Sequence, residues 1–178
     1  GGITGAGVAR DAALRGLSVA LVEAEDFAAG TSARSSKLIH GGLRYLASME
    51  YGLVRESLRE RRIMADIAPN FVHPCPMLFP HYRAQFKSSK WFLKIGLTLY
   101  DLLAFDKNRT WDAGKQIPGH TTLSAAQARQ RQPAVKREGL TGASIFYDCL
   151  NICPERLALT FIKSALAHGA RAANYAEI

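Results

Sequence analysis

A chain of 178 residues that is 48% hydrophobic can bury the core of one domain or one and a half, which excludes an intrinsically disordered protein. Lysine and arginine number 23 against 15 acidic residues, and the net charge of +8 favours anionic partners such as phosphates or a membrane surface. The basic residues are scattered, without the aromatic or helix-turn-helix patterns of nucleic-acid readers, so we expect no nucleic-acid partner. No stretch reaches the length of a transmembrane helix.

The three cysteines, Cys75, Cys149 and Cys153, are too few and too unevenly placed for a disulfide framework, which fits a reducing compartment. No second Cys/His pair has the spacing of zinc ligands, so no metal site is predicted.

The chain opens on a glycine-rich turn, Gly1–Gly7, that leads into a helix predicted over Ile3–Arg15. An apolar strand, Leu17–Val22, follows, and its continuous hydrophobicity predicts burial on both faces. Glu23 stands at the carboxyl end of this strand. A glycine turn followed by such an acidic residue is typical of a βαβ unit that binds a dinucleotide. Because the first glycine and first strand of that motif are absent, we expect the chain to be part of a longer protein.

The segment Phe27–Gly42 is small and polar, and its hydroxyls and backbone donors suit a phosphate or a flavin ring. A flexible linker is the alternative interpretation. The apolar residues that follow at once favour an anchored loop instead.

The middle of the chain lacks the alternation of strand and helix that βαβ units have. Tyr51–Ala68 predicts an amphipathic helix whose charged run, including Arg61, is a solvated face. His73–His81 is punctuated by prolines and predicts an edge strand. Lys87–Phe105 predicts a helix that is apolar on most of its surface, so it either packs between domains or lies in a membrane interface with its lysines toward lipid headgroups. For the helix predicted over Tyr51–Ala68, the apolar face is formed by Leu53, Leu58, Ile63 and Ile67.

The last third returns to alternating elements. Ser124 and Gln127 have the spacing of a capping box at the start of a short helix. A strand is predicted over Gly139–Asp148, a helix from Pro154 to a stop at Gly169, and a strand near Arg171. This order predicts a nucleotide-binding domain interrupted by an insertion.

Several stretches together resemble the FAD-dependent glycerol-3-phosphate dehydrogenases. They are the glycine turn, Gly16–Val19 and Thr31–Leu46, with further similarity at Ile95–Gly96–Leu97, Tyr100–Asp101 and Phe146–Tyr147–Asp148. The run from Ser35 to Leu46 is long and unusual enough to make the resemblance specific.

The resemblance implies an α/β fold, a Rossmann-like FAD-binding domain of the GR2 or D-amino-acid-oxidase-like type with an inserted mixed α+β segment. Its expected division is residues 1–50 for the first part of the FAD-binding domain, 51–138 for the insertion and 139–178 for the return. The implied reaction oxidises sn-glycerol 3-phosphate to dihydroxyacetone phosphate, with hydride passing to flavin N5 and electrons then passing to a quinone. The implied protein is cytoplasmic, peripherally associated with the inner face of the cytoplasmic membrane, and a homodimer.

The same resemblance implies the site residues. The glycines would lie at the FAD pyrophosphate and Glu23 at the adenosine ribose. Arg44 would present its guanidinium to the substrate phosphate or a developing alkoxide, with Tyr45 as its companion. His40 would act as a base, as a hydrogen-bond partner of the substrate hydroxyl, or only as a residue that fixes the loop. The cofactor-binding set is Gly1, Gly2, Gly5, Glu23, Thr31, Ser32, Ser35, Ser36, Lys37 and Leu38.

The chain departs from the family pattern at Asn151–Arg156, where the family has a pair of aspartates before Ala-Arg. Arg156 matches and the acidic pair does not, although Pro154 can still open a helix. Three alternatives stay open: a glycerol-3-phosphate oxidase that uses oxygen, an NAD-dependent Rossmann dehydrogenase, and a basic membrane-surface module without enzymatic activity.

Overall fold

The computed structural model describes residues 1–83 and 90–177. Their contacts form two compact units: unit 1 is Gly1–Leu38 with Asn151–Ile178, and unit 2 is Ile39–Leu150. The predicted division at residues 50 and 138 stays a prediction. The helices are α1 (Ile3–Leu14), α2 (Tyr51–Ile67), α3 (Lys90–Leu103), α4 (Ala125–Arg131) and α5 (Pro154–Ala167). The strands are β1 (Ala20–Val22), β2 (Leu38–Ile39), β3 (Val72–Tyr82), β4 (Thr121–Ser124), β5 (Leu140–Asn151) and β6 (Arg171–Ala173).

Unit 1 is built on two helices that approach closely through alanines. Ala9 and Ala13 of α1 share a buried cluster with Ala165 of α5 and with Ala170. Small side chains allow this close approach of the two helices. The Arg10 guanidinium adds a hydrogen bond to the Ser164 hydroxyl (3.0 Å).

The strands of unit 1 are short and parallel. β1 pairs with β6 in a register that sets Leu21 against Ala172. Leu21 packs toward the alanine cluster, whereas Ala20 and Val22 are exposed on the other side. The prediction of a strand buried on both faces is therefore wrong for the described residues, because the helices cover only one side of β1.

Unit 2 holds a four-stranded sheet in the order β2–β5–β3, with β4 also paired to β5. The proline-punctuated strand β3 lies at the edge, as predicted, where missing amide donors cost no ladder hydrogen bond. The predicted capping box is confirmed. Ser124 Oγ accepts from the Gln127 amide (3.3 Å), and Gln127 Oε1 accepts from the Ser124 amide (2.9 Å).

Helix α2 has nearly the predicted extent, but of its predicted apolar face only Leu58 is fully buried. Its buried side chains are Val54, Leu58, Arg61 and Ala65, whereas Leu53 and Ile67 are exposed. The assignment of Arg61 to a solvated face is wrong. Its side chain is 1% exposed and its guanidinium lies 2.6 Å from Asp148 Oδ1, so the charge is buried because it has a carboxylate partner.

Helix α3 begins at Lys90 among the described residues, and Lys87, part of the predicted helix, lies outside them. Leu93, Leu97 and Tyr100 form its buried face. The opposite face exposes Trp91 and other large apolar side chains. Within residues 1–83 and 90–177, no helix has both the length and the apolarity needed to cross a membrane.

An ion pair joins α2 to the segment after α3. The Arg55 guanidinium donates to both carboxylate oxygens of Asp106 at 2.8 Å, and Arg62 Nε lies 3.3 Å from Asp106 Oδ2. The hydrogen bonds from Arg55, followed by the charges of Arg55 and Arg62, lower the pKa of Asp106, whose burial opposes that effect.

The lowered pKa of Asp106 predicts acid sensitivity. A carboxyl group whose pKa is lower in the folded than in the unfolded protein stabilises the fold above its unfolded pKa, and this contribution is lost as the pH falls through its folded pKa. We expect Asp106→Asn to be less stable than wild type at pH 7, and the difference to narrow below about pH 4 in urea unfolding. Glu138→Gln, which alters an exposed pair with Lys136, should leave the curve nearly unchanged. A difference between Asp106→Asn and wild type that does not vary with pH would contradict the assignment.

Candidate functional site

The glycine turn of unit 1 brings an unusual capping group to α1. The Ile3 amide, at the helix start, donates to the hydroxyl oxygen of Ser32 (2.9 Å). A Cβ at Gly2 would lie 3.0 Å from the same oxygen, so a side chain there would crowd Ser32. Since the hydroxyl accepts from Ile3, its own proton is available to an anion at the positive end of the helix.

The next glycine of the turn faces the strand instead. A Cβ at Gly5 would lie 3.4 Å from Leu21 Cδ1, which is ordinary contact. Gly5 therefore faces β1, as the third glycine of dinucleotide-binding turns does, but the spacing would also admit an alanine.

Glu23 lies beside the start of the glycine turn. Its carboxylate lies 2.8 Å from the nitrogen of Gly1 and accepts from the Glu25 amide (3.1 Å). A carboxylate at the carboxyl end of β1 can accept hydrogen bonds from ribose hydroxyls.

The hydroxyl-rich loop presents most of its predicted cofactor residues to solvent. Thr31, Ser35, Ser36 and Lys37 are exposed, while Leu38 is half-buried at the start of β2. Ser35 Oγ accepts from the Lys37 amide (3.1 Å), and Lys37 has a φ of 60°, which bends the chain before β2. The structure thus brings Gly1, Gly2, Glu23 and Ser32 together, whereas the other hydroxyls lie along the exposed loop. Their contact with a cofactor stays a prediction.

The predicted catalytic residues lie on a tight turn of unit 2. His40 Nδ1 accepts from the Gly42 amide (3.1 Å), and Gly42 has a φ of 70°, a conformation that favours glycine. A 3-10 turn, Leu43–Ser48, follows. Arg44 is exposed there, with its guanidinium carbon 5.8 Å from the centroid of the Tyr45 ring.

A buried polar cluster lies under this turn. The Gly41 amide donates to Tyr100 Oη (2.9 Å) and to Asp148 Oδ1 (3.1 Å). The same carboxylate oxygen accepts from the Tyr100 hydroxyl (2.7 Å) and from Arg61 (2.6 Å). Burial, followed by the charge of Asp148, raises the pKa of Tyr100. The hydroxyl therefore stays protonated and donates a hydrogen bond to the carboxylate.

Sequence reasoning did not assign this cluster to the site. Tyr100 and Asp148 lie in stretches that carry the family resemblance, and that was the available signal. Arg61 had none, because it is one of several arginines in a charged run of α2.

The segment that departs from the family pattern still opens a helix. Asn151 Oδ1 accepts from the Cys153 amide (3.2 Å), and α5 begins at Pro154 with Glu155 in its first turn. The Cys153 thiol donates to Glu155 (3.0 Å), and this hydrogen bond is the main cause of the lowered pKa of that carboxyl. The expectation that the helix survives is confirmed.

The cysteines are free thiols. Burial raises the pKa of Cys149 to about 11, so this thiol is protonated and unreactive. Over residues 1–83 and 90–177, the His, Cys, Asp and Glu side chains form no group that could hold a metal ion.

Comparison with known families decides the class. The profile described as DAO, FAD dependent oxidoreductase, matches residues 1–178. The chain belongs to this family. The predicted fold class, a Rossmann-like fold of the D-amino-acid-oxidase type, is confirmed, and the family favours a flavoenzyme over an NAD-dependent dehydrogenase or a non-enzymatic module.

Relatives in this oxidoreductase family confirm the resemblance. The chain is 43% identical over 178 residues to a glycerol-3-phosphate dehydrogenase of Synechocystis, covering 100% of this chain and 31% of the relative. It is 44% identical over 178 residues to an alpha-glycerophosphate oxidase of Streptococcus pneumoniae, covering 99% of this chain and 28% of the relative. The chain thus spans less than a third of the length of these relatives.

Solved structures agree with the family fold. The glycerol-3-phosphate dehydrogenase from Bacillus halodurans complexed with FAD matches with a TM-score of 0.66 and 30% identity, over 99% of this chain and 25% of that one. Glycine oxidase from Geobacillus kaustophilus matches with a TM-score of 0.70 over 100% of this chain and 45% of that one. At 20% identity the second likeness concerns the fold alone.

The packing around Gly41 predicts that no side chain is tolerated there. A Cβ at Gly41 would lie 2.3 Å from Leu58 Cδ2 and 2.4 Å from Tyr100 Oη, both buried. We expect Gly41→Ala to lower the free energy of unfolding by about 1–3 kcal/mol. Gly96→Ala in α3 is the matched control, because a Cβ there meets nothing within 4 Å, and alanine should stabilise the helix by about 1 kcal/mol. Equal thermal stability of Gly41→Ala and wild type would refute the crowding.

Proposed function

We propose that the full-length protein is an FAD-dependent glycerol-3-phosphate dehydrogenase that oxidises sn-glycerol 3-phosphate to dihydroxyacetone phosphate and passes the electrons to a quinone. The observation that carries the proposal is the exposure of His40 and Arg44 on one short turn whose backbone is fixed from below by buried groups. An imidazole and a guanidinium so placed suit a substrate with a hydroxyl and a phosphate. The names of the relatives supply the substrate class.

The residues of unit 1 fit the FAD pyrophosphate and ribose. Ser32 and the start of α1 offer a hydroxyl donor and a positive helix end, and Gly2 leaves room for the approach of an anion. Glu23 offers a carboxylate to the adenosine ribose. When bound, the flavin supplies the acceptor for the hydride that leaves substrate C2.

On the substrate side, the chain supplies charge and hydrogen bonding. The Arg44 guanidinium carries a fixed positive charge and five donors, which match a phosphate dianion. Oxidation of the alcohol releases one hydride from C2 and one proton from the hydroxyl. An imidazole near that oxygen can accept the proton or donate a hydrogen bond to the oxygen.

The proposal is tested on the purified full-length protein. We expect a yellow preparation with flavin absorbance that reduces a soluble quinone analogue in the presence of glycerol 3-phosphate. Oxygen uptake with release of peroxide, in the absence of quinone, would favour the oxidase instead. A colourless protein that does not take up added FAD would refute the flavoenzyme.

The position of Arg44 predicts a separable effect on substrate use. We expect Arg44→Ala to raise KM for glycerol 3-phosphate about tenfold or more, because a charge-assisted hydrogen bond to phosphate is lost, while the FAD content stays close to wild type. Arg59→Ala, at an exposed arginine of α2, is the control and should leave both values unchanged. An equal loss of flavin and activity in Arg44→Ala would mean that Arg44 supports the cofactor loop instead.

We further propose that the exposed face of α3 binds an anionic membrane, from which quinone is reached. Trp91, Ile95 and Leu102 are 70%, 70% and 65% exposed, and Phe105 follows the helix at 68%. Lys90 and Lys94 are exposed beside them, with Lys94 Nζ 5.7 Å from the centroid of the Trp91 ring. Aromatic and aliphatic side chains flanked by lysines suit the headgroup region of an anionic bilayer.

Flotation of the full-length holoenzyme tests this surface. We expect binding to phosphatidylcholine vesicles that contain phosphatidylglycerol, weaker binding to phosphatidylcholine alone, and at least tenfold weaker partitioning for the double variant Trp91→Ser/Ile95→Ser. Leu159→Ser/Leu166→Ser, which changes two exposed apolar residues of α5, is the control. The membrane role fails if wild type does not float, or if the α3 variant dissociates a dimer without changing flotation.

A further inference from the structure

The hydrogen bond between Gly42 and His40 determines which nitrogen of the neutral imidazole carries the proton. A backbone amide can only donate, so Nδ1 of His40, 3.1 Å from the Gly42 nitrogen, is an acceptor without a proton. A neutral imidazole in this arrangement carries its proton on Nε2. His40 is exposed, so this Nε2–H is open to a ligand.

We propose that His40 donates a hydrogen bond from Nε2 to the substrate C2 oxygen instead of acting as the base, and that Tyr100, with Asp148 and Arg61, positions the His40–Gly42 turn for this purpose. The inference rests on the proposed function, because it concerns the oxygen that the oxidation converts to a ketone.

The positioning groups hold the turn at its central residue. Gly41 has its amide directed at two buried acceptors, Tyr100 Oη and Asp148 Oδ1, at 2.9 Å and 3.1 Å. These acceptors come from α3 and β5, and Arg61 of α2 supplies the charge that compensates the carboxylate. Because two elements hold this amide and a third holds the carboxylate that accepts from it, the residues on either side of Gly41 have little freedom to move.

The charges in the reaction favour a donor at this position. As the hydroxyl proton leaves and hydride departs from C2, negative charge develops on the oxygen and is then shared with the forming carbonyl. A fixed N–H donor stabilises this charge more than it stabilises the neutral alcohol. The departing proton goes to water or to a base elsewhere in the full-length enzyme, and the proton on Nε2 of His40 stays in place.

Substitutions at His40 separate a donor from a base. Glutamine can place an amide N–H near the position of Nε2, whereas asparagine reaches only the position of Nδ1. Neither can act as a base at neutral pH. In the full-length holoenzyme with glycerol 3-phosphate, we expect His40→Gln to keep kcat within about tenfold of wild type, and His40→Asn and His40→Ala to lose about a hundredfold or more. FAD content should be equal in all variants. If His40→Gln is as impaired as His40→Ala, the donor role is overturned.

A double-mutant cycle tests the positioning role of Tyr100. Tyr100→Phe keeps the ring and removes one of the two acceptors of the Gly41 amide, and we expect it to lower kcat about fivefold to tenfold. Its effect should disappear in the His40→Ala background, because the two residues act through the same contact. Tyr82→Phe, which removes a hydroxyl that donates to the Lys136 carbonyl (3.3 Å), is the matched control and should leave kcat unchanged. An undiminished Tyr100→Phe effect in the His40→Ala background overturns the positioning role, since general destabilisation does not depend on His40.

The two proposals fail in different ways. A flavin-loaded wild-type enzyme that does not oxidise glycerol 3-phosphate refutes the proposed function. An active wild type in which His40→Gln equals His40→Ala refutes only the assignment of His40 as a donor.

Discussion

One carboxylate oxygen in unit 2 accepts three hydrogen bonds, and the local architecture depends on it. Asp148 Oδ1 receives the Arg61 guanidinium, the Tyr100 hydroxyl and the Gly41 amide. A buried ion pair is weak support for stability by itself, because desolvation of both charges opposes their attraction. Here it provides directional anchoring: the pair ties α2 and β5 to α3 and to the turn before Leu43, so these elements cannot shift independently without leaving a buried donor or acceptor unpaired.

This arrangement places two polar side chains at the surface and the groups that fix their backbone in the interior. His40 and Arg44 are exposed, while Gly41 and Gly42 between them are buried. Function is commonly carried by loops held on rigid scaffolds, and preorganised donors lose little entropy when a ligand binds. Unit 1 also holds a potential ligand-binding group in place. The hydroxyl oxygen of Ser32 accepts from the first amide of α1, and the hydroxyl still has a proton to donate.

Local signals in the sequence predicted much of this structure. The capping box at Ser124, the proline at the start of α5 and the prolines of β3 each determine nearby backbone geometry, and all three elements form as expected. Arg61 could not be predicted, because its burial depends on a carboxylate 87 positions away and α2 offers several similar arginines. The cap that Ser32 provides was equally hidden, since Ser32 lies 29 positions beyond Ile3, after α1 and β1. Motif residues such as Gly2 and Glu23 can be singled out from the sequence because their spacing alone carries the chemistry, and their contact with a cofactor stays a prediction.

The two kinds of relative have one half of the reaction in common, as their names describe it. A protein named as a dehydrogenase and one named as an oxidase are 43% and 44% identical to the chain over its whole length. Oxidation of the alcohol is common to both names, whereas the final electron acceptor is not. Under the proposed function, the dinucleotide turn and the exposed His-Arg pair of this chain would serve the half-reaction in which substrate is oxidised. The choice of acceptor would instead depend on flavin access and on the surface where the acceptor docks.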